Sequence, residues 1–267
     1  MLRFDPFPAE TPLWLRNGAR ALRRAGGLAL DLLYPPSCLA CRRAISQQGG
    51  LCPACWTAMR FIERPYCERL GTPFEIDLAP GESGRMVSPA ALADPPVFRR
   101  ARTVARYEEG PARQLVHRLK YGDRGELAGP MGRWMARAGE ELLREADLLV
   151  PIPLHWTRLA RRRFNQSAAL ALAISGVSAV PADMDLLTRV KPTPPQVGLT
   201  RRQRAQNIQG AFVVAPARRI EAEGRRIVLV DDVMTSGATL NAAARVLLRA
   251  GAQSVDALVF ARVITDS

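Results

Sequence analysis

The sequence predicts an α/β fold, a parallel sheet with helices on both faces, preceded by a small cysteine-rich module. Three observations predict it. After residue 98, short strand-like runs alternate with longer helical ones. One of those runs, IVLV at 227–230, is apolar at every position, as a central strand covered on both sides must be. Four of the five cysteines fall in two CxxC pairs near the amino end.

The elements follow in order. At 267 residues the chain is long enough for one large α/β domain and a small accessory module. The expected division is an N-terminal helix over 1–35, a metal-binding module over 36–75, a linker over 76–97 and the α/β domain over 98–267. With 48% apolar residues and a mean hydropathy of −0.07, a packed core is expected, not disorder or a membrane bundle. Arg16, Arg20, Arg23, Arg24 and Asp31 break up the first stretch. They leave no signal-peptide pattern and no uncharged run there near the roughly 20 residues of a membrane span. A cytoplasmic location is expected, with cysteines reduced or metal-bound.

Cys38 and Cys41, in CLAC, and Cys52 and Cys55, in CPAC, stand ten residues apart across a segment with a Gly-Gly turn. Paired thiolates at this spacing converge on one tetrahedral ion, and four of them suit a closed structural zinc site. The rival is a redox CxxC, which usually comes singly on a βαβ unit. Cys67 is left over and reads as a small buried apolar residue. The Pro-, Gly- and Ser-rich stretch from Glu75 to Pro96 reads as a linker or long loop.

Beyond the linker come a strand in RTVARYEE, a helix in PARQLVHRLKYG, a helix from Leu127 to Glu145 and a strand in DLLVPIP. Helical QSAALALAIS, LLTRV, polar RRQRAQN and strand-like GAFVV follow, then IVLVDD, a helix over Thr239 to Arg249, and SVDALVFARV.

The net charge of +13 is carried by 36 Arg and two Lys, Lys120 and Lys191. Residues 151–226 hold 13 basic and four acidic residues, so +9 of the +13 lies there. Concentrated charge favours phosphate-bearing partners, although coding bias toward Arg is a competing explanation.

Ligands of open α/β sheets bind beyond the carboxyl ends of the strands, where IVLV runs into Asp231 and Asp232. Thr235, Ser236, Gly237, Ala238 and Thr239 follow and enter a helix, so backbone N–H groups and hydroxyls can hold a monophosphate at the helix N-terminus. If that phosphate is the 5′ end of a ribose, the two carboxylates reach its vicinal hydroxyls through charge-assisted hydrogen bonds, each worth about 1.5–3 kcal/mol. Mg²⁺ bridging the sugar and a further phosphate would relieve the carboxylate repulsion.

VLVDDVMTSGAT resembles the signature of type I phosphoribosyltransferases, which bind 5-phosphoribosyl-1-diphosphate (PRPP). The CxxC module, VPIPLHWTRLARRRFNQS and RVKPTPPQVGLTRRQRAQNIQGAF are similar to the ComF (GntX, competence protein F) family over nearly the whole chain. The resemblance implies a double zinc ribbon, a phosphoribosyltransferase-like domain and a link to DNA uptake in natural competence. The family ribbon commonly has three CxxC pairs. Here Leu70 stands where a sixth cysteine would be, which puts a second metal in doubt.

The resemblance also places the diphosphate-binding loop after DLLVPIP, beside Arg158, Arg161, Arg162, Arg163, Asn165 and Gln166. Arg158, Arg162 and Gln166 stand four apart and can share a helix face, whose competing reading is a solvated basic face. From Arg189 to Phe212 the chain resembles the flexible loop that closes over PRPP, with Thr193, Gln196, Arg202, Arg204 and Asn207. Following an amphipathic helix, Lys120-Tyr121 is expected to frame the base-side pocket, and His155 reads as an acid or a diphosphate contact with a structural role as the competing reading.

Two functions are compatible with these residues. One is Mg²⁺-dependent transfer of a 5-phosphoribosyl group to an unidentified acceptor with release of diphosphate. The other is a non-catalytic PRPP sensor that binds single-stranded DNA with the DNA-uptake machinery. The second needs exposed rings for stacking, and Trp56, Phe61, Tyr66, Phe74, Trp156 and Phe164 are equally suited to a core.

Overall fold

The computed structural model describes residues 35–74, 86–121, 124–162, 164–192 and 201–264, with backbone alone at 124, 125, 201, 202, 204 and 205. The expected N-terminal helix lies almost wholly outside the described residues.

The cysteine-rich module holds a single short helix, α1 (Pro53–Thr57), which starts after Cys52 as its N-cap with a proline in the first turn. Residues 60–62 then run antiparallel beside the first strand of the sheet, Ile62 N–H donating to Val104 O and Arg106 N–H to Arg60 O, each at 2.9 Å. Within the expected linker, Ser88 caps α2 (Pro89–Ala93), so part of that stretch is ordered into a helix.

The α/β domain runs β1 (Ala101–Arg106), α3 (Pro111–Tyr121), α4 (Arg124–Ala138), α5 (Glu140–Glu145), β2 (Leu148–Pro151), α6 (Trp156–Arg162) and α7 (Gln166–Ser178). It continues through β3 (Thr188–Arg189), α8 (Arg201–Ile208), β4 (Phe212–Val213), a 3₁₀ turn at Pro216–Glu221, β5 (Arg226–Met234), α9 (Ala238–Arg249) and β6 (Ser254–Arg262). Four strands form one sheet in the order β1-β6-β5-β2, every pair parallel, with Leu148 opposite Ile227 and Val230 opposite Leu258. Residues 181–183 continue it beside β2 through a parallel bridge at Ala182, and β3 and β4 form a separate antiparallel pair.

Both faces of the sheet are covered, as the unbroken apolar run predicted. Val228 and Val230 belong to a core with Leu115 and Leu119 of α3, Met131 of α4 and Ile174 of α7. The alternate residues Ile227 and Leu229 pack with Leu240, Ala243 and Leu247 of α9. The single helix expected over Leu127 to Glu145 is divided at Gly139. A Cβ there would stand 2.7 Å from Leu258 Cδ1, so a larger residue would have to displace that buried side chain of β6. The polar RRQRAQN segment is helical in α8, anchored by the buried Ile208.

Candidate functional site

β5 outlasts its neighbour. β2 ends at Pro151, opposite Val230, whereas β5 runs on to Met234 alongside β6. Asp231 and Asp232 are therefore still strand residues, at the point along β5 where β2 stops. Both are buried. Asp231 Oδ1 accepts a hydrogen bond from Ser167 Oγ at 2.8 Å and another from the Asp232 N–H at 2.9 Å. Asp232 Oδ2 lies 2.9 Å from Lys120 Nζ in the last turn of α3. Burial first, and the neighbouring Asp232 charge second, push the Asp231 carboxyl up to about 7. Burial works against the Lys120 ammonium, but Asp232 more than offsets it and raises its pKa.

After Met234 the chain turns into α9 through Gly237, whose φ of 76° lies in the left-handed region that favours glycine. No side chain caps this helix, and its first internal hydrogen bond is from Asn241 N–H to Gly237 O. The N–H groups before Asn241 thus point out of the helix end without an intrahelical acceptor. Ser236 Oγ is buried with no hydrogen-bond partner. Ser236 and Ala238 border a cavity of about 620 Å³ that extends between α8 and the outer side of α9. This is the combination an anion requires: open donors, positive helix end and an uncommitted hydroxyl.

Across the crevice, α6 carries Arg158 and Arg162. Burial and the Arg162 charge lower the pKa of Arg158. Burial, followed by the Arg158 charge, pulls Arg189 of β3 down to about 10, with Asp231 acting in the opposite direction. Residues from α6, β3 and β5 are therefore within electrostatic reach of one another. The Arg162 guanidinium lies over the exposed Tyr121 ring, 5.3 Å from its centroid. Trp156, 71% exposed, stands at the start of α6, and Trp56 is 52% exposed. His155 is buried, with Nδ1 2.8 Å from Thr157 Oγ1, so its polar edge is used within its own turn.

In the amino-terminal module the four Sγ atoms of Cys38, Cys41, Cys52 and Cys55 all lie within 4.8 Å of one another, Cys41 and Cys52 at 3.6 Å. A tetrahedral zinc ion with bonds of about 2.3 Å requires sulfur separations of this size. The Cys52 N–H points at Cys38 Sγ from 3.3 Å, favouring the Cys38 thiolate, and the Cys55 N–H points at Cys52 Sγ from 3.5 Å. The donor set fits structural zinc. Cys67 stands apart, fully buried, with its Sγ accepting from Leu70 N–H and from Ser88 N–H and Oγ at 3.3–3.4 Å.

A double zinc ribbon domain matches residues 29–86, and a phosphoribosyl transferase domain matches residues 165–266. The chain is 32% identical to the DNA utilization protein YhgH of Escherichia coli K12, over 87% of its own length and 100% of that protein. The chain belongs to the ComF/GntX family. Within it, Competence protein F of Haemophilus influenzae is 29% identical over 84% of this chain and 96% of its own, and Competence protein ComFC of Bacillus subtilis is 26% identical over 88% of each. Among solved structures, the allosteric regulatory enzyme of purine biosynthesis overlays with a TM-score of 0.37 at 18% identity, over 54% of this chain and 30% of that one. That overlay is too loose to add to the assignment.

The ComF/GntX chain thus places Asp231, Asp232, Ser236 and Gly237 at one strand end, with Arg158 and Arg189 nearby. Asn165 is differently employed. Its Oδ1 accepts from Ser167 N–H as the N-cap of α7, and its Nδ2 donates to Ile152 O, tying that helix to the end of β2. Gln166 is buried, its Oε1 without a partner. Thr193, Gln196 and Arg163, and the side chains of Arg202 and Arg204, lie outside the described residues. Asn207 sits near the end of α8. Sequence reasoning missed Ser167 and left Lys120 at a base-side pocket. A signal for Lys120 was present, because it is one of two lysines among 36 arginines. No helix among the described residues is long and apolar enough to cross a membrane.

Proposed function

We propose that the crevice at the end of β5 binds PRPP and that the protein transfers its 5-phosphoribosyl group to an acceptor, releasing diphosphate. The observation that carries this reading is the continuity of two buried carboxylates with an uncapped helix entrance along 231–239. One end of this segment suits a vicinal diol and the other a monophosphate. Asp231 and Asp232 accept hydrogen bonds from the ribose hydroxyls, while Ser236 Oγ and the N–H groups of residues 237–239 hold the 5′-phosphate. Arg158, Arg162 and Arg189 face the diphosphate, matching its oxygens with guanidinium forks. Asp231 and Asp232 would hold Mg²⁺ here through the diol they orient, and the ion would supply charge neutralisation to the diphosphate.

The protein's contribution is positioning and electrostatics. The arginines stabilise charge on the departing diphosphate, and the carboxylates fix the sugar while positive charge develops at C1′. Residues of α8 exclude water from that carbon, as the flexible loop of the resemblance implies. The acceptor nitrogen attacks from the opposite face. A cytoplasmic site of action accords with four thiols gathered for a metal.

A second reading, a PRPP sensor that binds single-stranded DNA, is favoured by the exposed Trp156 and Trp56 and by the exposed Tyr121 under the Arg162 guanidinium. Calorimetric titration with PRPP and Mg²⁺, followed by a screen of acceptor bases for PRPP-dependent diphosphate release, tests the first reading. Binding without release from any acceptor favours the sensor, and no binding removes both.

A further inference from the structure

Every described ion pair in the protein but one is made by arginine; Lys120 with Asp232 is the exception. The difference is chemical. A guanidinium fork engages both oxygens of a carboxylate, as Arg226 does with Asp147 at 2.8 and 3.0 Å. An ammonium is a point charge and engages one. At Asp232 the lysine stands 2.9 Å from Oδ2, with its side chain only 22% exposed. Its stem rises from the turn of α3 that buries Val116 and Leu119, and the next residue, Tyr121, lies under the Arg162 guanidinium. The ammonium is therefore aimed from a fixed helix end. Burying it is costly, and a methionine would fill the same space, so packing does not explain it.

We propose that Lys120 is a positioning residue of the sugar site: it holds Asp232 by a single oxygen, keeping the other oxygen open for a vicinal diol. The inference rests on the PRPP reading. Asp231 complements it, since its Oδ1 is held by the neutral donors Ser167 Oγ and Asp232 N–H. Asp231 is anchored through Oδ1 by two hydrogen bonds, whereas Asp232 is held at Oδ2 by the ion contact with Lys120 alone, an arrangement that presents the pair to two adjacent hydroxyls. An arginine at 120 would keep the charge but occupy both Asp232 oxygens.

The test is calorimetric titration of PRPP with Mg²⁺ into the wild type, K120R, K120M, D232N and the double variant K120M/D232N, each checked by thermal melting. K120M is expected to weaken binding about tenfold or more. K120R is expected to melt near the wild-type temperature and yet bind weakly, and K120M/D232N to bind no more weakly than D232N alone. Wild-type affinity in K120R or K120M overturns the inference and leaves the PRPP reading standing. A full further loss on adding K120M to D232N also overturns it, because Lys120 would then touch the ligand directly. If K120R is itself destabilised, the cycle through D232N decides. A wild type that does not bind PRPP removes the underlying reading first.

Discussion

Two of the places where the molecule buries charge along one sheet are treated oppositely. At β1, Arg102 is 1% exposed and saturated. Its guanidinium reaches Glu141, meets Glu68 Oε2 at 2.5 Å, and donates to Glu68 O and Ala101 O at 3.0 and 2.8 Å, while its Cζ lies 4.7 Å from the centre of the Tyr66 ring. Arg64 adds a second cation at 2.8 Å from Glu68. Two cations therefore meet two carboxylates. At β5, two adjacent carboxylates have a single ammonium in contact, and beside them lies a buried serine hydroxyl with no partner. A satisfied cluster holds parts together; an under-compensated one waits for a ligand. The comparison teaches that burial of charge does not by itself mark a site. The missing partner does.

The largest effect expected is on a third region that bears on the comparison. Stripping zinc from the four cysteines removes a binding free energy of about 10–16 kcal/mol in isolated zinc modules. Residues 38–58 should become protease-sensitive, while 60–74 stay docked through Arg102 and β1. Metal analysis of the intact protein should give about one zinc per chain. Limited proteolysis with mass spectrometry reads the result, and simultaneous release of both halves would show that the Arg102 cluster does not hold the second half alone.

Next in size, replacing Asp231 and Asp232 together by Asn should cost PRPP about 3–6 kcal/mol, two charge-assisted hydrogen bonds at roughly 1.5–3 kcal/mol each. Thermal stability should stay near the wild type's, because relief of the like-charge pair is offset by the Lys120 ammonium left without its partner. Calorimetry and melting on the same samples check both. The converse change, Arg102→Met, strands Glu68 and Glu141 and should destabilise the fold by about 3–5 kcal/mol in urea titration, with PRPP affinity of the folded protein kept.

The smallest effect is in pH dependence, where the two clusters have opposite signs. Asp231 is raised to about 7 in the fold, so the native state binds its proton more tightly than the unfolded chain between about pH 4 and 7. Its contribution is present at low pH and lost as pH rises through 7. Burial would raise Glu68, but Arg102 and Arg64 override it and hold its pKa below the ordinary carboxylate range. Its contribution is present above the unfolded value and lost as pH falls. Urea titrations from pH 4 to 8 should show Asp231→Asn removing the loss on the alkaline side and Glu68→Gln the loss on the acid side.

What the sequence made legible divides along the same line. β5, the turn at Gly237 and the four-cysteine cluster were readable because each is local: a run of apolar residues, a glycine before a helix, a fixed spacing. The partners of the carboxylates were not, since Lys120 lies 112 positions before Asp232 and Ser167 lies 64 before Asp231, and no periodicity carries that information. The capping role of Asn165 was also readable, for Asn before Gln-Ser and an apolar run is an N-cap signal, and its amide caps α7. The break at Gly139 was hidden because its reason, the side chain of Leu258, arrives from the last strand.

The flanks of the sheet carry a further consequence. Residues 60–62 lie along β1 and residues 181–183 along β2, so neither outer strand offers its ladder of amides to another molecule. Strand addition directly onto β1 or β2, a usual route by which sheets aggregate or recruit extended peptides, is obstructed by these two segments.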